Sequence, residues 1–242
     1  MKMIGLIGGM SWESTLPYYR LINETVRERL GGLHSARLIL FSVDFHQIEE
    51  HQRSGDWVAA GNILAEAARA LEAAGAEGLV LCTNTMHKVA PAIVAAVNIP
   101  LLHIADPTAA EIRRAGFSTV GLLGTRFTME QDFYRRRLEH HGLRVLIPDE
   151  PERAAVHRVI YEELCQGRIV DASRAEYRKV IARLIAQGAE AIVLGCTEIS
   201  LLIGAPDSLV PLFDTTRIHA LSAAEWSLGD SVPGIASLSP TT

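Results

Sequence analysis

The chain has 242 residues, 48% hydrophobic and 21% charged, with a formal net charge of -5. That is room for one large α/β domain or two small ones, in an ordinary globular balance, and it argues against a basic nucleic-acid scaffold. Its three widely spaced cysteines exclude a disulfide framework, and no C-x-x-C pair of the metal-binding kind exists.

The chain opens on a short apolar run at residues 3–7, followed by Gly8-Gly9 and polar residues. It is too short for the core of a signal peptide and predicts a buried strand. Similar runs, rich in β-branched residues, follow at 38–42, 79–81, 101–104, 119–123, 145–147, 192–194 and 210–213. Between most of them lie stretches with a helical period, such as 57–74, 129–140 and 177–187. Gly75, Gly116, Gly142 and Gly188 each close such a pattern. Alternating strands and helices predict parallel sheets covered by helices. The segment 228–242, rich in Ser, Pro and Gly, predicts a loose tail. No run approaches the ~18 apolar residues of a membrane span. With its free thiols, the chain reads as soluble and cytoplasmic.

A repeat organises the sequence. IGLIGGMS (4–11) matches VGLLGTRFT (120–128), and GAEGLVLCTNT (75–85) matches GAEAIVLGCTEI (188–199). IPLLHIADPT (99–108) matches VPLFDTTRIHA (210–220), at a nearly constant offset. We therefore expect an α/β fold of two pseudo-two-fold-related α/β/α lobes with mainly parallel sheets. Ligands of open α/β sheets sit beyond the carboxyl ends of the strands, so the matched loops converge on an interlobe cleft.

Cys196 stands at a strand end, where N–H groups of Thr197, Glu198 and Ile199 begin a helix. Such a terminus binds anions and favours a thiolate; a buried structural cysteine is the alternative. The matching loop offers Thr83, Asn84 and Thr85, a set suited to a carboxylate or amino-acid headgroup or to capping the next helix. His87 orients a neighbour or is a partly buried histidine, with Lys88 beside it. The loop GGMSWEST brings Met10 and Ser11 close to a ligand but has neither G-x-G-x-x-G nor a Walker lysine. Gln52 and Arg53 precede a helix; Arg53 grips a substrate carboxylate or belongs to a solvated loop. The histidine spacing predicts no metal site.

On GLIGGMSWEST, NTMH and GCTEI, from Met1 to about Leu228, the sequence resembles the aspartate/glutamate racemase family, closest to its bacterial broad-specificity and aspartate/glutamate-specific members. The resemblance implies two α/β lobes around the active site, and no pyridoxal phosphate or other cofactor. It also implies a cysteine from each lobe flanking the substrate α-carbon, and frequent homodimers. A return of the last strand and helix to the first lobe divides the chain into 1–105 plus 212–228, 106–211, and the tail.

Many family members write Cys-Asn-Thr where this chain has Thr83-Asn84-Thr85, with Cys82 one residue earlier. Successive strand side chains alternate faces, so Cys82 is expected to face the sheet packing and Thr83 the cleft. A threonine hydroxyl donates a proton but is a poor base near neutral pH. By resemblance, Cys196 then serves as base toward the L-substrate and Thr83 as donor on the opposite face, favouring L-to-D conversion of glutamate or aspartate, or of a broader range. Cys165 occupies the place of a family lysine that holds a side-chain carboxylate. Two alternatives stand: a relative acting on another small carboxylate or a hydantoin, as isomerase or decarboxylase, and an amino-acid-binding protein with little catalysis.

Overall fold

The structure, a computed structural model, describes residues 1–230. The tail expected to be loose lies, from residue 231 on, outside the described residues. The first half runs β1 (Ile4–Gly8), α1 (Trp12–Leu30), β2 (Leu38–Ser42), α2 (Phe45–Ser54), α3 (Trp57–Ala73), β3 (Gly78–Leu81), α4 (Ala90–Val94), β4 (Leu101–Leu102) and α5 (Ala105–Arg114). The second runs β5 (Thr119–Gly124), α6 (Arg126–Glu130), α7 (Asp132–His140), β6 (Arg144–Leu146), α8 (Glu150–Glu162), α9 (Asp171–Ala186), β7 (Ala191–Gly195), α10 (Ile199–Leu202), β8 (Leu212–Asp214) and α11 (Thr215–Leu228).

Every expected strand forms. They make two four-stranded sheets, ordered β2-β1-β3-β4 and β6-β5-β7-β8, and every pair is parallel. The central strands β1, β3 and β7 are buried along their whole length. Helices cover both faces of each sheet, which is why these strands read as continuous apolar runs.

The lobes exchange helices. Helix α5 follows β4 of the first sheet, yet Ala105, Ala109 and Ile112 pack with Val120, Leu122 and Phe213 of the second lobe. Helix α11 follows β8 of the second sheet, yet Ala220, Ala223, Ala224 and Trp226 pack with Ile4, Leu6 and Tyr18 of the first. The return begins at Thr215 rather than at 212, because Leu212–Asp214 pairs with β7. Gly78 is needed for this docking: a Cβ there would lie 2.4 Å from the Trp226 ring. Gly9, at φ +94° and with Val43 O at 2.3 Å from any added Cβ, makes the tight turn that leaves β1.

Candidate active site

Four loops leave the carboxyl ends of β1, β3, β5 and β7 and meet between the lobes, and together they line a cavity of ≈ 20 Å³. That is room for about one water. Its walls include Met10, Gln52, Thr83 and Thr85 from the first lobe and Thr125, Tyr161, Cys165, Cys196 and Glu198 from the second. Substrate entry therefore requires the lobes to part.

Glu198 is the centre of the closed cleft. Its Oε2 accepts from Cys196 Sγ and from Thr197 Oγ1, both at 2.9 Å. Its Oε1 accepts across the cleft from Ser11 N–H at 3.1 Å and Ser11 Oγ at 3.0 Å. Further ties join the lobes. Tyr161 Oη donates to Gln52 Oε1 at 2.7 Å, and the hydroxyls of Thr85 and Thr125 lie 2.9 Å apart. Around the mouth run Trp57 on Phe127, centroids 5.2 Å apart, and Phe45 stacked on Tyr161 at 6.3 Å.

The structure corrects the expected thiolate. Helix α10 has only four residues, too short to offset the surroundings of the thiol. Burial, the Glu198 carboxylate and the neighbouring Cys165 push the Cys196 thiol well above the ordinary range, and it donates to Glu198. In the closed cleft Cys196 is protonated.

Cys82 faces away from the cleft. It is fully buried among Ile4, Leu6, Tyr18 and Val80, and burial raises its thiol far above the ordinary range. Thr83, one residue on, lines the cavity. Behind it, His87 holds the loop. Ile104 N–H donates to His87 Nε2 at 3.2 Å, so the ring proton sits on Nδ1, which donates to Thr83 O at 2.7 Å. Asn84 Nδ2 donates to Thr215 Oγ1 at 3.0 Å, while its buried Oδ1 has no partner.

Arg53, expected to grip a substrate carboxylate, and Lys88 are not brought to the cleft. Arg53 lies on the solvent face of α2, its side chain 70% exposed, and pairs with Glu49 one turn earlier. One residue earlier on the same helix, Gln52 faces inward; adjacent helical positions point about 100° apart. Lys88 Nζ sits 3.8 Å above the Trp57 ring, and burial lowers its pKa. Tyr161, Thr125 and Phe45 were not anticipated. Thr125 was signalled, since its loop matches GGMS in the repeat; Tyr161 and Phe45 lie on helices whose periodicity marks them only as packing residues.

Matched to known proteins, residues 7–223 fit the family of Asp/Glu/Hydantoin racemases. The chain belongs to this family. It is 25% identical to the broad-specificity amino-acid racemase RacX of Bacillus subtilis, covering 93% of this chain and 98% of that one. Among solved structures, a Yersinia pestis protein assigned to the Asp/Glu racemases is 60% identical, with TM-score 0.87, covering 94% of this chain and 100% of the other. An aspartate racemase homologue of Pyrococcus horikoshii is 37% identical, with TM-score 0.80 and the same coverage. The protein is thus an isomerase of the amino-acid racemase type. No described helix is long and apolar enough to cross a membrane, and no described group of three His, Cys, Asp or Glu side chains is placed to hold a metal ion.

Three histidines buried behind the cleft are neutral. Burial lowers His87 to about 3 and His219 to about 4, and His103 falls well below its usual value. Folded-state values below the unfolded one near ~6.5 mean that unfolding takes up protons as the pH falls. Stability is therefore full above pH ~6.5 and lost as the pH drops toward 4. The urea midpoint should fall steadily between pH 6.5 and 4, less so in His219→Gln; a flat midpoint would contradict the neutral cluster.

Proposed function

We propose that the protein racemises α-amino acids without a cofactor, by proton transfer on two sides of the α-carbon, and runs chiefly from L to D. The observation that carries this reading is the cleft itself, with Cys196 on one wall and Thr83, not Cys82, on the other.

The α-proton is a weak acid, so the carbanion needs a dry site with oriented donors. Opening of the lobes admits the substrate, and closure excludes water. Glu198 receives the substrate ammonium. Its positive charge offsets the carboxylate that holds the Cys196 thiol protonated, and so favours the thiolate. Asn84, with its unpartnered Oδ1, and Thr197 help to hold the headgroup, while the hydroxyls of Thr85 and Thr125 face the α-carboxylate. With the thiol proton released to solvent as the substrate binds, the Cys196 thiolate takes the α-proton of the L-enantiomer and the Thr83 hydroxyl gives its own proton to the opposite face. On reopening, water reprotonates Thr83 and takes the proton from Cys196, so the site is restored. The reverse reaction starts from a threonine alkoxide, so its turnover is slow. Because the two enantiomers have equal energy, the asymmetry lies in turnover and affinity separately, not in their ratio. Met10 and Gln52 close the first-lobe wall, and Ser11 and His87 position Glu198 and the Thr83 loop.

A homodimer fits the surface. Trp12, Leu16 and Tyr19 stand 61%, 57% and 54% exposed on α1, at a spacing that makes one apolar stripe. The site, with its free thiols, suits the cytoplasm.

L-substrates should lose their α-proton signal in D₂O, monitored by NMR, and Cys196→Ala should slow that loss by more than ~100-fold. Retained exchange in Cys196→Ala would remove Cys196 as the base. Sedimentation should give a dimer in the wild type and a monomer for Leu16→Arg; an unchanged dimer would place the interface elsewhere.

A further inference from the structure

Two of the three cysteines share the cleft. Cys196 and Cys165 both line the ≈ 20 Å³ cavity, which has room for about one water. Both come from the second lobe: Cys196 follows β7, and Cys165 sits in the short 3₁₀ turn Leu164–Gln166 after α8. Cys165 packs on the same apolar cluster that contains Cys196. Opening of the lobes therefore admits solvent to the pair without parting it. Cys82 stands apart, fully buried in the core of the first lobe.

Both thiols carry their protons in the closed cleft. Burial, and next the Glu198 carboxylate, raise each of them above the ordinary range. Protonation protects them while the cleft is shut, since the thiolate is the reactive form. The same carboxylate is also a base at hand. Cys196 Sγ already donates to Glu198 Oε2 at 2.9 Å, so Glu198 can receive the thiol proton as the sulfur reacts.

We infer that Cys165 is the resolving thiol of a reversible redox switch, closing a disulfide with Cys196 when peroxide enters the open cleft. The disulfide stands apart from the racemase reading; only its effect on activity rests on it. In the first step the Cys196 sulfur attacks one oxygen of hydrogen peroxide. An S–O bond forms and the O–O bond breaks. Glu198 takes the thiol proton and passes it to the departing hydroxide, which leaves as water, and Cys196 is then a sulfenic acid. In the second step the Cys165 sulfur attacks Cys196. The S–S bond forms, the S–O bond breaks, and the hydroxyl leaves as water with the Cys165 proton. Two thiols have lost two electrons, and one peroxide has gained them. Rotation of two side chains of one lobe, across a space of about one water, brings sulfur to sulfur. The bond takes up the thiol that removes the α-proton, and it guards Cys196 against irreversible oxidation. In a reducing compartment such disulfides are transient and redox-sensing.

We would treat the native protein with hydrogen peroxide, block free thiols and map the cysteines by mass spectrometry after digestion, on wild type and Cys165→Ser. The wild type should keep one free thiol of its three, Cys82, and yield a linked peptide joining Cys165 to Cys196. Dithiothreitol should restore the thiols and, with them, α-proton exchange. Cys165→Ser should instead carry Cys196 on to sulfinic acid, which dithiothreitol does not reverse, and recover about tenfold less exchange. Three free thiols after treatment, a free Cys165 beside an oxidised Cys196, or a linked peptide that includes Cys82 would each overturn the inference and leave the racemase reading standing. The expected linked peptide in a protein that exchanges no α-proton even when reduced would uphold the disulfide and overturn that reading instead. Should Cys165→Ser fail to fold, the wild-type peptide map alone decides.

Discussion

A single buried carboxylate ties the cleft together. Glu198 accepts from the thiol of its own loop and from Ser11 of the opposite lobe. The same group therefore holds Cys196 protonated and the cleft shut. A buried carboxylate without a cation is costly unless donors surround it, and here four donors do so. Opening the lobes breaks the Ser11 half of this arrangement. An arriving ammonium supplies charge where two neutral donors had been. On the proposed mechanism, closure, substrate binding and activation of the thiol are one event, and Cys196 becomes reactive only when there is a proton to take.

The helix exchange gives such closure a stable frame. Each lobe contributes one helix to the other's core, α5 and α11, so the lobes cannot drift apart as separate domains. The ties that must break on opening are few and polar or aromatic: Tyr161 to Gln52, Thr85 to Thr125, and the rings at the mouth. The buried histidines extend the frame to the Thr83 loop. His87 fixes Thr83 O, and His219 ties α11 to the first lobe through Tyr18 of α1 and Leu102 of β4.

Much of this was legible in the sequence. The eight apolar runs and the internal repeat marked every strand, because strands buried on both faces have no polar alternation to hide them. The repeat also aligned Thr83 with Cys196 and set Cys82 aside, and strand alternation alone turned Cys82 into the core. Three things were not legible. The state of the Cys196 thiol depends on a carboxylate two residues away and on burial by the opposite lobe, neither of which a local N-terminus argument includes. The direction of Arg53 turned on a single helical step between it and Gln52. Phe45 and Tyr161 meet from opposite lobes, and nothing in the local pattern of either helix indicates the partner.

The central claim is that a hydroxyl in place of a thiol makes the two faces of the α-carbon unequal. Replacing Thr83 by cysteine tests it most directly, with α-proton exchange from a D-amino acid in D₂O as the readout. The account predicts slow exchange from the D-enantiomer in the wild type and a marked gain in Thr83→Cys, with exchange from the L-enantiomer retained. Rapid D-exchange in the wild type, unchanged by the substitution, would contradict it and require another base on the first-lobe wall.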